Sequence, residues 1–176
     1  MMHPHEEISN AITQLDKLIK EDGNNFDAIG FRALLRLTIE TQSKIIGTSP
    51  EGINTAILSS ILMDLDNVYK ANPHDYDVIF INAMTHVVMA LSLSDLGSKI
   101  IHSRKALSMI NEATAIGQDH LFSHILYGNY HISLAGLSIG TPEDYKNAFY
   151  YFEKANEVIE KTTNDNFAFL GTIFPV

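Results

Sequence analysis

Histidines in the sixth predicted helix come closest to a metal-binding pattern. His120, His124 and His131 share one stripe of that helix with Tyr127. Two histidines four residues apart on a helix can bind one metal ion. His131, however, lies about 10.5 Å further along the axis than His124, at 1.5 Å per residue. No acidic residue lies between Asp119 and Glu143 to complete a ligand set. We therefore predict packed or solvent-exposed histidines, with no metal site and no cofactor.

The other candidates for chemistry are weaker. Met1-Met2-His3 has the spacing that binds Cu(II) or Ni(II), but any chain with histidine in third place has it, and we interpret it as a frayed terminus. No GxSxG, HExxH or phosphate-binding glycine loop occurs. The members of a catalytic triad need not be adjacent in sequence, so an enzyme with a dispersed site remains a second alternative. Our prediction is a protein that is not an enzyme, with no catalytic residue.

Composition limits the partners. The 176 residues are 45% apolar and only 19% charged, which indicates a packed core rather than disorder. A net charge of −9 disfavours nucleic acid and anionic membrane as main partners. There is no cysteine, so thiol chemistry is absent. The first residues lack an apolar segment of the signal-peptide kind, which favours a cytoplasmic location as an expectation.

Apolar residues recur at helical spacing in seven stretches, and no strand-like alternation occurs. Glycines follow several stretches, where a left-handed C-cap is expected, at Gly23, Gly47, Gly97, Gly117 and Gly140. The sequence predicts an all-α chain, with helices over about 5–21, 26–46, 49–71, 77–96, 98–116, 119–139 and 141–162.

The helices are of two kinds. The fourth and sixth carry no charge over most of their length, which is typical of an inner layer. A membrane span is the rival interpretation, but polar residues such as Asn82 and Asn129 interrupt both apolar runs, so we predict none. The first, third, fifth and seventh helices are amphipathic with a charged outer face, whereas the second is poor in charge, like the fourth and sixth. For the seventh the predicted buried face is Tyr145, Ala148, Phe149, Phe152, Ala155 and Ile159.

The breaks after alternate helices resemble one another. Asp22-Gly23-Asn24-Asn25 and Asn72-Pro73-His74-Asp75 are the clearest pair, and similar residues surround Asp119 and Asp165. Asn25 and Asp75 stand 50 residues apart, and the next intervals are 44 and 46. A period of this size predicts stacked helical hairpins. We expect one domain over 1–176, with hairpins at 26–71, 77–116 and 119–162.

This pattern resembles the tetratricopeptide repeat (TPR). The small-bulky-small spacing of that repeat's second helix is matched by two sets, namely Ala106, Ile110, Ala113 and Ala148, Phe152, Ala155. The period here exceeds the family's, which is about 34 residues. The long hairpins also look like those of bacterial TPR-like proteins associated with transport systems. The resemblance implies a right-handed α-solenoid of antiparallel hairpins whose first helices line a concave groove.

The positions carried over from the family form a mostly apolar groove. They are Leu34, Leu37, Asp77, Phe80, Met84, Val87, Phe122, Ile125, Asn129 and Ile132. We expect a scaffold or protein-binding module that holds an apolar peptide or helix in this groove. The alternative is a binding protein for a small apolar ligand, associated with a bacterial transport system, in which the same face closes into a pocket.

The last stretch, 166–176, is apolar and aromatic, whereas a solenoid end normally presents a polar face. We therefore expect this tail to fold back over the last hairpin or to dock on a second copy of the chain.

Overall fold

The computed structural model describes residues 4–45, 52–116, 121–136 and 141–161, and within these ranges the chain is helical apart from short loops, with no strand. This confirms the all-α class. The helices are α1 (Pro4–Glu21), α2 (Phe26–Ile45), α3 (Thr55–Ala71), α4 (Tyr76–Ser92), α5 (Leu96–Ile116), α6 (Leu121–Gly136) and α7 (Pro142–Lys161).

The chain divides into two compact units, Met1–Ile116 and Gly117–Val176. The first contains α1 to α5, and the second contains α6 and α7. In the first unit each helix packs against the next along the chain, and α2 also packs against α4. In the second unit α6 and α7 pack side by side.

The turns before α2 and α4 have the same hydrogen bonds at an offset of 50 residues. The Asn25 side chain accepts the N–H three residues ahead at 3.1 Å, and the Asp75 side chain does the same at 3.2 Å. The backbone N–H groups of Asp22 and Asn72 each donate to the carbonyl four residues back at 2.9 Å. These side chains are N-caps that satisfy otherwise unpaired donors. The turns at 22–25 and 72–75, which have similar sequences, therefore also have the same hydrogen-bonded structure.

The start of α3 differs from the prediction. We expected Ser49 and Pro50 to open this helix, but residues 52–54 are not helical, and 46–51 lie outside the described residues. Asn54 is the N-cap, and its side chain accepts the N–H groups of Ala56 and Ile57. The helix therefore begins later than predicted, because the Asn54 side chain satisfies the N–H groups of its first turn.

The break between α4 and α5 also differs. Helix α4 ends at Ser92, and Asp95 accepts the N–H of Ser98 at 3.0 Å as α5 begins. Gly97 therefore lies in the first turn of α5 rather than capping α4. Gly23 is in a turn closed by Asp22, which accepts the N–H of Asn24 at 3.0 Å, and the glycine does not adopt the left-handed conformation. The predicted glycine caps at Gly47, Gly117 and Gly140 lie outside the described residues.

Helix α4 is the most buried element of the first unit. Its apolar side chains, among them Val78 and Ile81, join a core cluster with residues of α2 and α3. The members from α2 and α3 include Ala33, Leu58, Ile61 and Leu65. Beyond the exposed Asp77 in its first turn, α4 carries no charge, which suits its burial on several sides. Polar residues of α4 are buried as well, namely Asn82, Thr85 and His86.

In the second unit, small residues bring the two helices together. Ala148 and Ala155 of α7 are buried. A Cβ atom placed on Gly128 of α6 would lie 2.5 Å from Cε1 of Phe152. Since real Cβ contacts are never that short, Gly128 provides the space in which the Phe152 ring packs against α6.

None of the helices in the described ranges has both the length and the apolar character needed to cross a bilayer.

Candidate functional site

The predicted groove residues of the first unit lie mainly in its core. Leu37 and Val87 are each only 5% exposed. Leu34, Phe80 and Met84 are half-buried and pack against the core cluster, whereas Asp77 is exposed. Most of these side chains therefore stabilise the unit rather than face solvent.

The groove residues of the second unit are more accessible. Phe122, Ile125 and Asn129 are half-buried, and Ile132 is 41% exposed. The structure thus places four of the ten predicted residues on α6 with part of the side chain open to solvent. Whether the ten form one partner-binding groove stays a prediction.

The largest concentration of exposed apolar side chains on one helix occurs on α7. Phe149 is 68% exposed, and Tyr145, Phe152 and Ile159 also count among the exposed large hydrophobic residues. These four lie three, four or seven residues apart and so share one face of the helix. We call Tyr145, Phe149, Phe152 and Ile159 the α7 face.

The α7 face corrects the predicted burial of the seventh helix. Of the six residues expected inside, only Ala148 and Ala155 are buried, and the four large ones are exposed. The apolar arc of α7 also includes Tyr151, so it is wider than a single neighbouring helix can cover. That excess width was visible in the sequence and is the signal that our prediction missed.

An open groove of about 490 Å³ lies along this part of α7. It is lined by Phe149, Phe152, Glu153, Asn156 and Glu157. Two aromatic rings form its apolar floor, and carboxylates stand on its rim. Because Phe152 is held in place by its contact with Gly128, part of the floor is fixed by the packing of α6 on α7.

Histidines and tyrosines form a stack where α7 meets α6. The Tyr151 ring lies 4.6 Å from Tyr127 and 5.8 Å from His131, both nearly parallel, and 6.5 Å from His124. Burial, with smaller contributions from Tyr127 and Tyr150, raises the pKa of Tyr151. A raised pKa keeps the phenol neutral and unsuited to act as a base near pH 7.

His131 has a carboxylate partner that its own helix lacks. Its Nδ1 lies 3.0 Å from Oδ1 of Asp144 on α7. Asp144 also accepts the backbone N–H of Thr141 at 2.8 Å and its hydroxyl at 2.9 Å, which caps α7. The Thr141 backbone N–H first, and then His131 and the Thr141 hydroxyl, lower the pKa of Asp144 despite its burial. Asp144 is thus occupied as a helix cap and as the partner of His131.

Among the residues that the structure describes, no three His, Cys, Asp or Glu side chains come together as metal ligands. His120 and the Met1-Met2-His3 terminus lie outside those residues. His86 is buried and contacts His102 of α5.

Comparison of the chain with protein-family models, with curated proteins and with solved structures returned no match.

Proposed function

We propose that this chain is a non-enzymatic interaction module that holds an apolar helix or peptide of a partner protein. One observation carries the proposal: the α7 face combines four exposed large hydrophobic side chains with an open groove. Exposed contiguous apolar surface with a polar rim is typical of sites that bind another protein segment.

The architecture we propose is a TPR-like right-handed α-solenoid. The support is the repeated turn before α2 and α4, together with the packing of α2 against α4. In a stack of hairpins, equivalent helices of neighbouring repeats lie beside one another, as these two do. The buried Ala33 and Ala83 occupy equivalent positions, 50 residues apart, where close helix packing needs a small residue.

The α7 face is a better candidate for the partner site than the groove predicted from the first helices of each hairpin. Leu37 and Val87 are buried, so reaching them would require the first unit to open. Phe149 needs no such rearrangement. An open groove also suits an extended or helical segment better than a small molecule, which usually binds where most of its surface can be enclosed.

A peptide-display selection tests the proposal. Random peptides are selected on the full chain, and their affinity is then measured for the full chain and for Phe149→Asp. We expect the selected peptides to carry apolar residues at helical or alternating spacing. Their affinity for Phe149→Asp should be lower by at least about tenfold, because the substitution removes a large aromatic anchor and puts a charge in the centre of an apolar contact.

Met63→Asp is the matched control. Met63 is 70% exposed, close to the value for Phe149, and lies on α3. It should leave peptide affinity unchanged. Peptides that bind Phe149→Asp as tightly as they bind the unsubstituted chain would contradict the proposal.

A further inference from the structure

The α7 face lies near the end of the described chain. Helix α7 ends at Lys161, and Phe152 and Ile159 fall in the half of it nearest that end. A helix with an apolar arc this wide normally has a second neighbour. In the TPR-like arrangement, that neighbour would come next in the sequence.

The sequence that follows has the composition of such a neighbour. Residues 162–166 read Thr-Thr-Asn-Asp-Asn, which are residue types common in turns. Residues 167–176 then read Phe-Ala-Phe-Leu-Gly-Thr-Ile-Phe-Pro-Val, with no charge and three phenylalanines. We call 167–176 the apolar tail. Its lack of charge matches the aromatic floor of the groove.

The apolar tail is long enough to cover the groove after one reversal of direction. From Phe149 to Lys161 the α7 axis is about 18 Å long, at 1.5 Å per residue. Ten residues span about 15 Å as a helix and about 33 Å when extended. A helical tail would therefore reach back past Phe152, and an extended one would reach past Phe149.

The same chain is a better source for this segment than a second copy. A tail tethered close to the groove has an effective concentration in the millimolar range. Two copies, by contrast, each carry a net charge of −9 and repel one another.

We propose that the apolar tail occupies the α7 groove of its own chain and acts as an internal competitor for the partner segment. The proposal rests on the proposed function in treating the α7 face as a binding surface, but the contact with the tail needs no external partner. The tail keeps the aromatic floor out of water, and a partner binds by displacing it. When the tail is removed, the partner's apparent affinity rises by a factor of one divided by the fraction of molecules whose groove was free of the tail.

Disulfide trapping in the full chain tests the contact. The protein contains no cysteine, so two introduced cysteines are the only reactive pair. Asn156→Cys places one in the groove, and Leu170→Cys places the other in the tail. We expect an intrachain disulfide to form at least about tenfold faster than in the control pair Lys154→Cys with Leu170→Cys, because proximity sets the rate.

Lys154 is the matched control because it is two residues from Asn156 and, at 100° per residue, about 200° away around the helix. Equal rates in the two pairs would overturn the proposal. Faster formation of an interchain disulfide in the Asn156→Cys pair would overturn it in favour of a second copy as the occupant.

A fluorescence measurement gives a second readout. The chain has no tryptophan, so Phe169→Trp provides a single reporter in the tail. We expect blue-shifted emission that moves to the red when Phe149→Asp is added and stays in place when Met63→Asp is added. Emission typical of a solvent-exposed indole in the single variant would overturn the proposal.

The outcomes for the tail and for the proposed function are separable. Selected peptides that bind through Phe149, together with equal disulfide rates, would discard the tail contact alone. If the intrachain disulfide forms but no selected peptide loses affinity for Phe149→Asp, the partner site alone is discarded. If both hold, Phe167→Ser combined with Phe169→Ser should raise peptide affinity by about tenfold for a groove that is nine-tenths covered.

Discussion

The Nδ1 atoms of His86 and His102 lie 2.8 Å apart, in a contact that joins α4 to α5. At that distance one ring donates a proton and the other accepts it, so the two rings cannot both be doubly protonated there. His86 is buried. Burial first, and then His102 and Lys105, lower its pKa to about 4. Burial and Lys105 also lower the pKa of His102.

Stability should therefore fall when the pH is lowered through the range between the two pKa values of His86. In the unfolded chain its pKa is 6.5, and in the folded chain about 4. Between these values the unfolded state binds more protons, so stability rises with pH and is lost on acidification. From the size of the shift, His86 alone should account for a loss of up to about 3 kcal/mol between pH 7 and pH 4.

Urea denaturation at several pH values measures this loss. His86→Phe keeps a ring of similar size without a titrating group, and its stability should depend less on pH than that of the unsubstituted chain. His74 is exposed in the turn before α4, so His74→Phe serves as the control and should leave the pH dependence as it was. An unchanged pH dependence in His86→Phe would contradict the assignment.

Arg32 joins three helices through two carboxylates that differ in exposure. Its Nη2 lies 2.7 Å from Oδ2 of Asp64 on α3, and its Nη1 lies 2.8 Å from Oδ1 of Asp16 on α1. Burial would lower the pKa of Arg32, but Asp16 and Asp64 together outweigh it and raise the pKa. The Asp64 side chain is 23% exposed, whereas that of Asp16 is 54% exposed.

Asp64→Asn should destabilise the protein more than Asp16→Asn. We expect about 1–3 kcal/mol for Asp64, because a partly buried charge loses its closest partner, and under about 1 kcal/mol for the exposed Asp16. The unfolding free energy in urea measures both. Losses of equal size would show that burial does not set the strength of these ion pairs.

The recurrence of one turn before α2 and α4 was predictable because such turns are encoded locally. Asn25 and Asp75 cap the helices that begin next to them, and those bonds need only neighbouring residues. The boundary between α4 and α5 was harder to predict, because Asp95 and Gly97 are both residue types common in turns. Only the fold of the chain decides that Asp95 lies before α5 and that Gly97 lies inside it.

The candidate site was less predictable because helical periodicity reports which faces are apolar, not what covers them. Phe149 and Ala148 are adjacent and both fit the predicted inner face, yet one is exposed and the other fully buried. Which of them faces α6 depends on the rotation of α7. That rotation follows from long-range packing, such as Phe152 against Gly128.

Two glycines test how closely the helices pack. Gly128→Ala would place a Cβ atom 2.5 Å from the Phe152 ring, so the ring must move, and we expect a loss of about 1–3 kcal/mol from overpacking. Gly30 lies inside α2, and a Cβ atom added there would have no neighbouring atom within 4 Å. Gly30→Ala should therefore leave stability unchanged or raise it by up to about 1 kcal/mol, as helix propensity predicts.

Thermal and urea unfolding of the two alanine variants provide the comparison. If Gly128→Ala were as stable as Gly30→Ala, Phe152 would not be held against α6, and the floor of the α7 groove would not be fixed by that contact.

Asn82 is fully buried on α4, and neither its Oδ1 nor its Nδ2 has a hydrogen-bond partner within the described part of the chain. An unpaired buried amide costs about 1–3 kcal/mol of stability. Asn82→Leu keeps the branched arrangement of heavy atoms and removes the two polar atoms. We expect unfolding in urea to show stability that is unchanged or raised by about 1 kcal/mol, since the leucine is somewhat larger and offsets part of the gain.

The exposed Asn67 provides the control, and Asn67→Leu should change stability by less than about 0.5 kcal/mol. A loss above about 2 kcal/mol in Asn82→Leu would instead mean that the amide has a polar partner in solution.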